Sequence, residues 1–323
     1  MEILTDSHNR VLNYLRLSLT DRCNLRCFYC VNDSVKFIPH NQILRYEEIL
    51  RLVRLSVGLG VSKIRITGGE PLLRAGVYDF LNKLSEIEGI KDLSLTTNGI
   101  YLKENLDKII GAGINRLNIS LDTLTPERYK ITTGKDLFGK VWDSIMAAHD
   151  KGINPLKINV VAIRNLNFDE LTSFAELTFK YPFHIRFIEY MPMGEDINGN
   201  LLTPEIRSRI ESVGQLHEVE SGSGDGPAER FKFKGAKGEI GFISPISKHF
   251  CSNCNRLRLT ASGMLRPCLL SDHKINIIKP LRDGLSDDEL TKVFLKAASF
   301  KQKKHLLDSS PDKIVSKMHS IGG

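Results

Sequence analysis

The six cysteines of this 323-residue chain fall into two triplets with none left over. Cys23, Cys27 and Cys30 are spaced C-x3-C-x2-C inside Asp-Arg-Cys-Asn-Leu-Arg-Cys-Phe-Tyr-Cys. Cys251 and Cys254 are spaced C-x2-C, with Cys268 following after thirteen intervening residues. Thiolates set this close are metal ligands more often than packing residues. Three ligands per site, rather than four, is the informative number. A 4Fe–4S cube held by three cysteines leaves one iron open to an exchangeable ligand, and open metal positions are where chemistry happens. A small molecule with an amino and a carboxylate group can chelate that iron. S-adenosylmethionine has both, and an electron passed to its sulfonium releases a carbon radical.

Zinc with a distant fourth ligand is the alternative for the first triplet. For the second, a fourth ligand from His249 or His273 makes zinc and a cluster equally good readings on spacing alone. Arg256 and Arg258 tip the balance: they follow Cys254 and alternate along an expected strand, so both point the same way. Two forked guanidinium groups beside an open metal position anchor a phosphate chain, although a solvated strand face is the commoner fate of alternating arginines.

The elements that must position these residues are legible as a rhythm. Strands are expected over Tyr14–Leu19, Lys63–Thr67, Asp92–Thr96, Arg116–Leu121, Lys157–Ile163 and His184–Glu189, with amphipathic helical stretches between them. Six β/α units in series imply a parallel sheet with right-handed crossovers, as a partial barrel or a doubly wound sheet. The first triplet follows strand one, Gly68-Gly69-Glu70-Pro71 strand two, Thr97-Asn98-Gly99 strand three, Asp122 strand four and Met191-Pro192-Met193 strand six. Loops at the carboxyl ends of parallel strands build active sites. Beside the first triplet, a Gly-Gly turn lets backbone approach the methionine part of S-adenosylmethionine, because no Cβ intervenes.

After Tyr190 the rhythm stops. A helix is expected from Thr203, a loop over Ser221–Pro227, hairpins over Arg230–Lys234 with Glu239–Ile243 and Arg256–Thr260 with Met264–Pro267, and a helix over Asp287–Ala298. Hydrophobic residues at 41% and charged residues at 26% suit a globular protein, and a net charge of +7 favours an anionic partner. No run approaches the roughly 20 apolar residues of a membrane span, and the first ten residues lack the apolar core of a signal peptide. Close thiols without a secretory signal imply a reducing compartment, so a cytoplasmic location is expected.

The chain resembles the GTP 3′,8-cyclases that begin molybdenum cofactor biosynthesis, within the radical S-adenosylmethionine superfamily. The resemblance runs through Leu15-Arg-Leu-Ser-Leu-Thr-Asp-Arg-Cys23, Lys63-Ile-Arg-Ile-Thr-Gly-Gly-Glu-Pro71, Leu95-Thr-Thr-Asn-Gly99, Asn118-Ile-Ser-Leu-Asp122 and Arg186-Phe-Ile-Glu-Tyr-Met191. It continues through Phe250-Cys-Ser-Asn-Cys-Asn-Arg-Leu-Arg-Leu-Thr260 and closes on Ile321-Gly-Gly323. It implies an α/β fold, a partial (β/α)6 TIM-type barrel over residues 1–195, with a C-terminal α+β extension, residues 196–323, carrying a second cluster, a GTP site and a Gly-Gly tail. Cys23, Cys27 and Cys30 would hold the 4Fe–4S cluster that splits S-adenosylmethionine, and Tyr29, Gly69, Ser120 and Met191 would contact that cofactor. Cys251, Cys254 and Cys268 would hold the second 4Fe–4S cluster, facing GTP. Arg16, Arg65, Thr96, Lys157, Arg256 and Arg258 match GTP-contacting positions, and the Gly322-Gly323 tail would enter the active site and support the reaction.

The implied chemistry is abstraction of hydrogen from the ribose 3′ carbon and attack of the ribosyl radical on carbon 8 of guanine. An electron and a proton then complete (8S)-3′,8-cyclo-7,8-dihydroguanosine triphosphate. Implied partners are an electron donor, a downstream cyclic pyranopterin monophosphate synthase and a second copy in a homodimer; neither a membrane nor a nucleic acid is expected. Two rivals stay open at this point. One is another radical S-adenosylmethionine enzyme that modifies peptide or RNA with an auxiliary cluster; the other is a zinc-stabilised nucleic-acid-binding protein without catalysis.

Overall fold

In the computed structural model, residues 2–31, 35–193, 199–220, 226–305, 314 and 316–322 are described. Gly323, most of the loop expected over Ser221–Pro227 and the expected 195/196 division lie outside the described residues. Strands β1 (Tyr14–Ser18), β2 (Lys63–Thr67), β3 (Asp92–Thr97), β4 (Arg116–Ser120), β5 (Leu156–Ala162) and β6 (His184–Glu189) fall within a residue or so of the expected runs. They pair parallel, each with the next in sequence. A doubly wound sheet reverses its strand order partway; this one does not, so every crossover steps in the same direction, as in a barrel.

Alternation along the strands sorts the two faces. Leu15, Leu17, Ile64, Ile66, Leu95, Leu117, Ile119, Ile158, Val160 and Ile185 are buried in one continuous apolar core. The residues between them, among them Arg16, Arg65, Thr96, Ser120, Asn159 and Arg186, line a single cavity. One face of all six strands meets around that cavity, so the sheet curls.

The helices supply the outer layer by the usual local logic. Tyr46–Gly58 buries Ile49, Leu50, Leu52 and Val53 at helical spacing. Pro126–Thr133 opens on a proline and stops at Gly134, whose φ of 73° suits a residue without a Cβ. Asp287–Ser299 starts from a reciprocal Ser286–Glu289 capping box.

The C-terminal strands are β7 (Leu216–Glu218), β8 (Glu229–Phe233), β9 (Glu239–Ile243), β10 (Arg256–Leu259), β11 (Met264–Arg266) and β12 (Ile275–Asn276). They extend the same sheet at both edges. β10 joins β1 and β9 joins β6, both parallel, while β11–β12 and β8–β7 continue outward antiparallel; the full order is β12-β11-β10-β1-β2-β3-β4-β5-β6-β9-β8-β7. The two expected hairpins are therefore present, and each is the continuation of the barrel wall. No helix among the described residues is long and apolar enough to cross a membrane.

Candidate active site

The cavity offers about 330 Å³ and is lined by all six cysteines. Topology puts the triplets at opposite ends. Cys23, Cys27 and Cys30 lie on the loop leaving the carboxyl end of β1. Cys251 and Cys254 lead into the amino end of β10, which runs parallel to β1, and Cys268 lies just beyond β11, which returns antiparallel to that same end.

At the first end, each loop is tied to its neighbour. Gly69 N donates to the Thr20 carbonyl at 2.6 Å and Glu70 N to the Arg22 carbonyl at 2.8 Å. A Cβ on Gly69 would fall on the Arg22 carbonyl oxygen, so the close approach requires glycine here. The buried Glu70 carboxyl accepts from Leu72 N (3.0 Å), Thr97 Oγ1 (2.8 Å) and Asn98 N (2.7 Å), joining the β2 and β3 loops. Burial pushes its pKa up to about 7 against those donors. Asn98 Nδ2 and Leu25 N in turn reach the Cys23 sulfur at 3.7 and 3.4 Å. Tyr29 donates to Asp122, which also accepts from Val161 N at 2.8 Å and is raised to about 6 by burial.

The thiols of the first triplet are held high, chiefly by burial, Cys30 at about 12. Cys254 is opposite: burial alone would raise it, but Arg256 and then Lys301 draw it down to about 6. All six are free thiols. Within each triplet the thiols interact electrostatically with one another. Among the described residues no three His, Cys, Asp or Glu side chains form a ready-made single-ion site. The donor sets fit three-thiolate clusters, with Asn98 and Leu25 as sulfur-directed donors at one end and Arg256 and Lys301 as cations at the other.

Between the ends stands a rung of arginines. The pairing register runs Arg266, Arg258, Arg16 and Arg65 across β11, β10, β1 and β2. Around Arg16 lie Tyr14, Arg65 and Arg256, and burial brings Arg16 down to about 10. Arg65 Nε and Thr96 Oγ1 are buried without a hydrogen-bond partner among the described residues. This is an anion site built of forked donors.

Of the expected contacts, Tyr29, Gly69, Ser120, Met191, Arg16, Arg65, Thr96, Arg256 and Arg258 all line the cavity. Lys157 does not. It is buried near the amino end of β5, in a small recess with His184, Arg230 and Glu239 that shares Arg186 and Gly226 with the cavity. Gly322 is buried against the cavity wall: its carbonyl accepts from Arg258 Nη1 at 2.7 Å, and the preceding turn, Met318–Ile321, places His319, which lines the cavity, with Nδ1 3.1 Å from the Cys30 carbonyl. His249 lines the cavity near His305, whereas His273 is exposed against Phe300.

Three lining residues were not singled out from the sequence. Arg186 reaches Asn159 Oδ1 at 3.0 Å and is lowered to about 9 by burial and then by its cationic neighbours Arg65 and Arg16. A lone arginine inside the apolar run Ile185–Ile188 was a readable signal. Tyr14 sits among Arg65, Arg16 and Arg256. Lys301 donates to the Arg256 and Pro267 carbonyls at 2.8 and 2.6 Å, beside Cys254 and Cys268; nothing in its local sequence marks it.

Comparison with known proteins agrees at the level of family and fold. The Radical SAM superfamily model matches residues 17–178 and the Molybdenum Cofactor Synthesis C model matches residues 183–307. The chain is 44% identical to a GTP 3′,8-cyclase of Thermodesulfovibrio yellowstonii over 99% of its own length and all of the relative's. It is 46% identical to that of Moorella thermoacetica, covering 95% of this chain and 96% of the relative. Among solved structures, Streptococcus suis SuiB bound to S-adenosylmethionine superposes with a TM-score of 0.63 at 15% identity, over 84% of this chain and 65% of that one, a likeness of fold.

Proposed function

The chain belongs to the GTP 3′,8-cyclase family of radical S-adenosylmethionine enzymes, and from that premise we propose how its residues divide the work. It converts GTP to (8S)-3′,8-cyclo-7,8-dihydroguanosine triphosphate with two 4Fe–4S clusters and S-adenosylmethionine. Cys23, Cys27 and Cys30 hold one cluster, and Cys251, Cys254 and Cys268 the other. When bound, the clusters and S-adenosylmethionine supply single electrons, a carbon radical and an open iron.

The chain's own residues do the rest. Tyr29, Gly69, Ser120 and Met191 orient S-adenosylmethionine at the carboxyl ends of the strands. Arg16, Arg65, Arg256, Arg258 and Thr96 bind GTP between the triplets, with Arg186 extending the cationic wall and Lys157 adding charge from the adjoining recess behind it. The Gly322-Gly323 tail supports the reaction, with Gly322 bound to Arg258 and helping to keep water from the reacting carbons. The 1–195 and 196–323 regions act as two walls of one site. An electron donor, a downstream synthase that consumes the product, a cytoplasmic location and a homodimer complete the reading.

The observation that carries the GTP assignment is the in-register rung Arg258–Arg16–Arg65 between two cysteine triplets in one cavity. The test is turnover of GTP deuterated at the ribose 3′ carbon. Deuterium is expected in the 5′-deoxyadenosine formed, together with loss of GTP. Label retained in GTP while S-adenosylmethionine is still cleaved would exclude it as substrate.

A further inference from the structure

A cluster enclosed in this cavity must receive its electrons through protein, and electron transfer weakens steeply with every ångström of separation. A donor therefore has to dock where the least protein intervenes. In the first-triplet loop that place is Phe28. It directly follows Cys27, and it is 45% exposed although Cys27 and Tyr29 on either side of it line the cavity. The loop is fastened to the end of the helix Pro126–Thr133 by Arg26 N to the Thr133 carbonyl (2.8 Å) and Phe28 N to the Thr132 carbonyl (3.2 Å). The next residue back on that helix, Ile131, is 79% exposed. Two exposed large apolar residues thus flank one backbone contact beside the first triplet.

Their surroundings are cationic. Arg22 and Arg26 are exposed, and their guanidinium groups stand 5.9 and 5.4 Å from the Phe37 ring, next to exposed Lys36. Lys130 and Lys135 are exposed on the helix side. Against these five cations the same two stretches expose Glu127 and Asp136, the latter 3.4 Å from Lys130. A second copy of the chain meeting this face through its own equivalent would bring like charges together, whereas an acidic surface would be complementary. Transient redox partners bury little area, below about 1,200 Å² in all, so a small apolar centre with a charged rim is of the right scale.

We propose that Phe28 and Ile131, rimmed by Arg22, Arg26, Lys130 and Lys135, form the docking surface for a small acidic protein that carries single electrons to the first cluster. This rests on the assignment of Cys23, Cys27 and Cys30 as ligands of that cluster, and it names the class and landing place of the donor.

The test uses the holoenzyme without GTP, so it stands apart from the substrate assignment. Flavodoxin hydroquinone, an acidic one-electron carrier, is mixed with wild type, Ile131→Glu and the pair Lys130→Glu/Lys135→Glu, and first-cluster reduction is followed by absorbance. Binding of oxidised flavodoxin is measured alongside, and dithionite serves as the small reductant. Both variants are expected to lose about tenfold or more in flavodoxin-driven rate and in affinity, with the dithionite rate unchanged. The wild-type rate should fall as salt is raised. Unchanged flavodoxin rates in both variants would overturn the proposal. So would a loss of rate accompanied by a change from dimer to monomer in sedimentation, which would assign the face to self-association.

Discussion

Taking a guanidinium group out of water is costly, and the cost shows at each arginine of the cavity: burial is the leading cause that lowers Arg16, Arg186 and Arg258. Clustering adds mutual repulsion, so the arrangement is poor as packing and good as a receptor for a polyanion. Arg256→Ala and Arg258→Ala should each cost roughly 1.5–3 kcal/mol of binding, or about ten- to 150-fold in kcat/KM for GTP. Unproductive formation of 5′-deoxyadenosine should persist in both. Equal loss of the two activities would assign the arginines to the fold or the first cluster. Lys301→Met should remove a cation that links the Arg256 and Pro267 carbonyls beside Cys254 and Cys268. We expect it to release iron from the second site alone, measured as iron per chain after desalting. The pair Arg256 and Arg258 was legible because alternation reveals a shared face. Lys301 was not, because its meaning lies in two carbonyls that only the tertiary fold brings to it.

At the scale of elements, the site is assembled by loops that bind one another. Glu70 joins the β2 and β3 loops, and it titrates. The folded carboxyl keeps its proton to about pH 7, against an ordinary value of 4.5. Folding therefore takes up a proton between those values. The contribution of this group to stability falls as pH rises from 4.5 to 7 and is level above, by roughly 3 kcal/mol in total. Glu70→Gln should flatten that part of the stability profile in urea melts of the metal-free chain; an unchanged slope would show that the carboxyl is ionised throughout.

The tail is the other joining element. Arg266 Nη1 holds Ser316 Oγ at 2.7 Å, His319 reaches the Cys30 carbonyl, and Arg258 holds Gly322. Gly322 has φ of +75°, and a Cβ there would lie 2.5 Å from Thr67 Oγ1 and 2.9 Å from Ser18 Cβ. Gly322→Ala should unseat the tail and cut cyclisation at least tenfold, with iron content and S-adenosylmethionine cleavage intact. Full GTP turnover in that variant would show that the tail has no part in cyclisation.

At the scale of the whole molecule, the strands and helices of the first half were legible from periodicity, since each β/α unit repeats the same local signal. The C-terminal strands were legible one by one, but their partners were not. Arg256–Leu259 pairs in parallel with Tyr14–Leu17 across some 240 residues of sequence, and no local pattern carries that information. That long-range pairing matters most for function. It places Arg258 in the same rung as Arg16 and brings the second triplet to the far end of the first triplet's cavity. The parallel pairing of β9 with β6 does the same at the other edge: it closes the recess beside Arg186 in which Lys157, near the amino end of β5, stands apart from the cavity.

Function in this molecule depends on two three-cysteine sites, each holding a 4Fe–4S cluster, facing each other across one arginine-lined cavity. The most direct measurement is the iron, sulfide and zinc content of anaerobically purified protein beside the variant with Cys251, Cys254 and Cys268 all changed to Ala. Two such clusters require about eight irons per chain falling to about four, no zinc in either protein, and the first cluster's spectrum unchanged. One zinc lost with the second triplet, and about four irons in both proteins, would make that end a structural zinc site and rule out a second cluster.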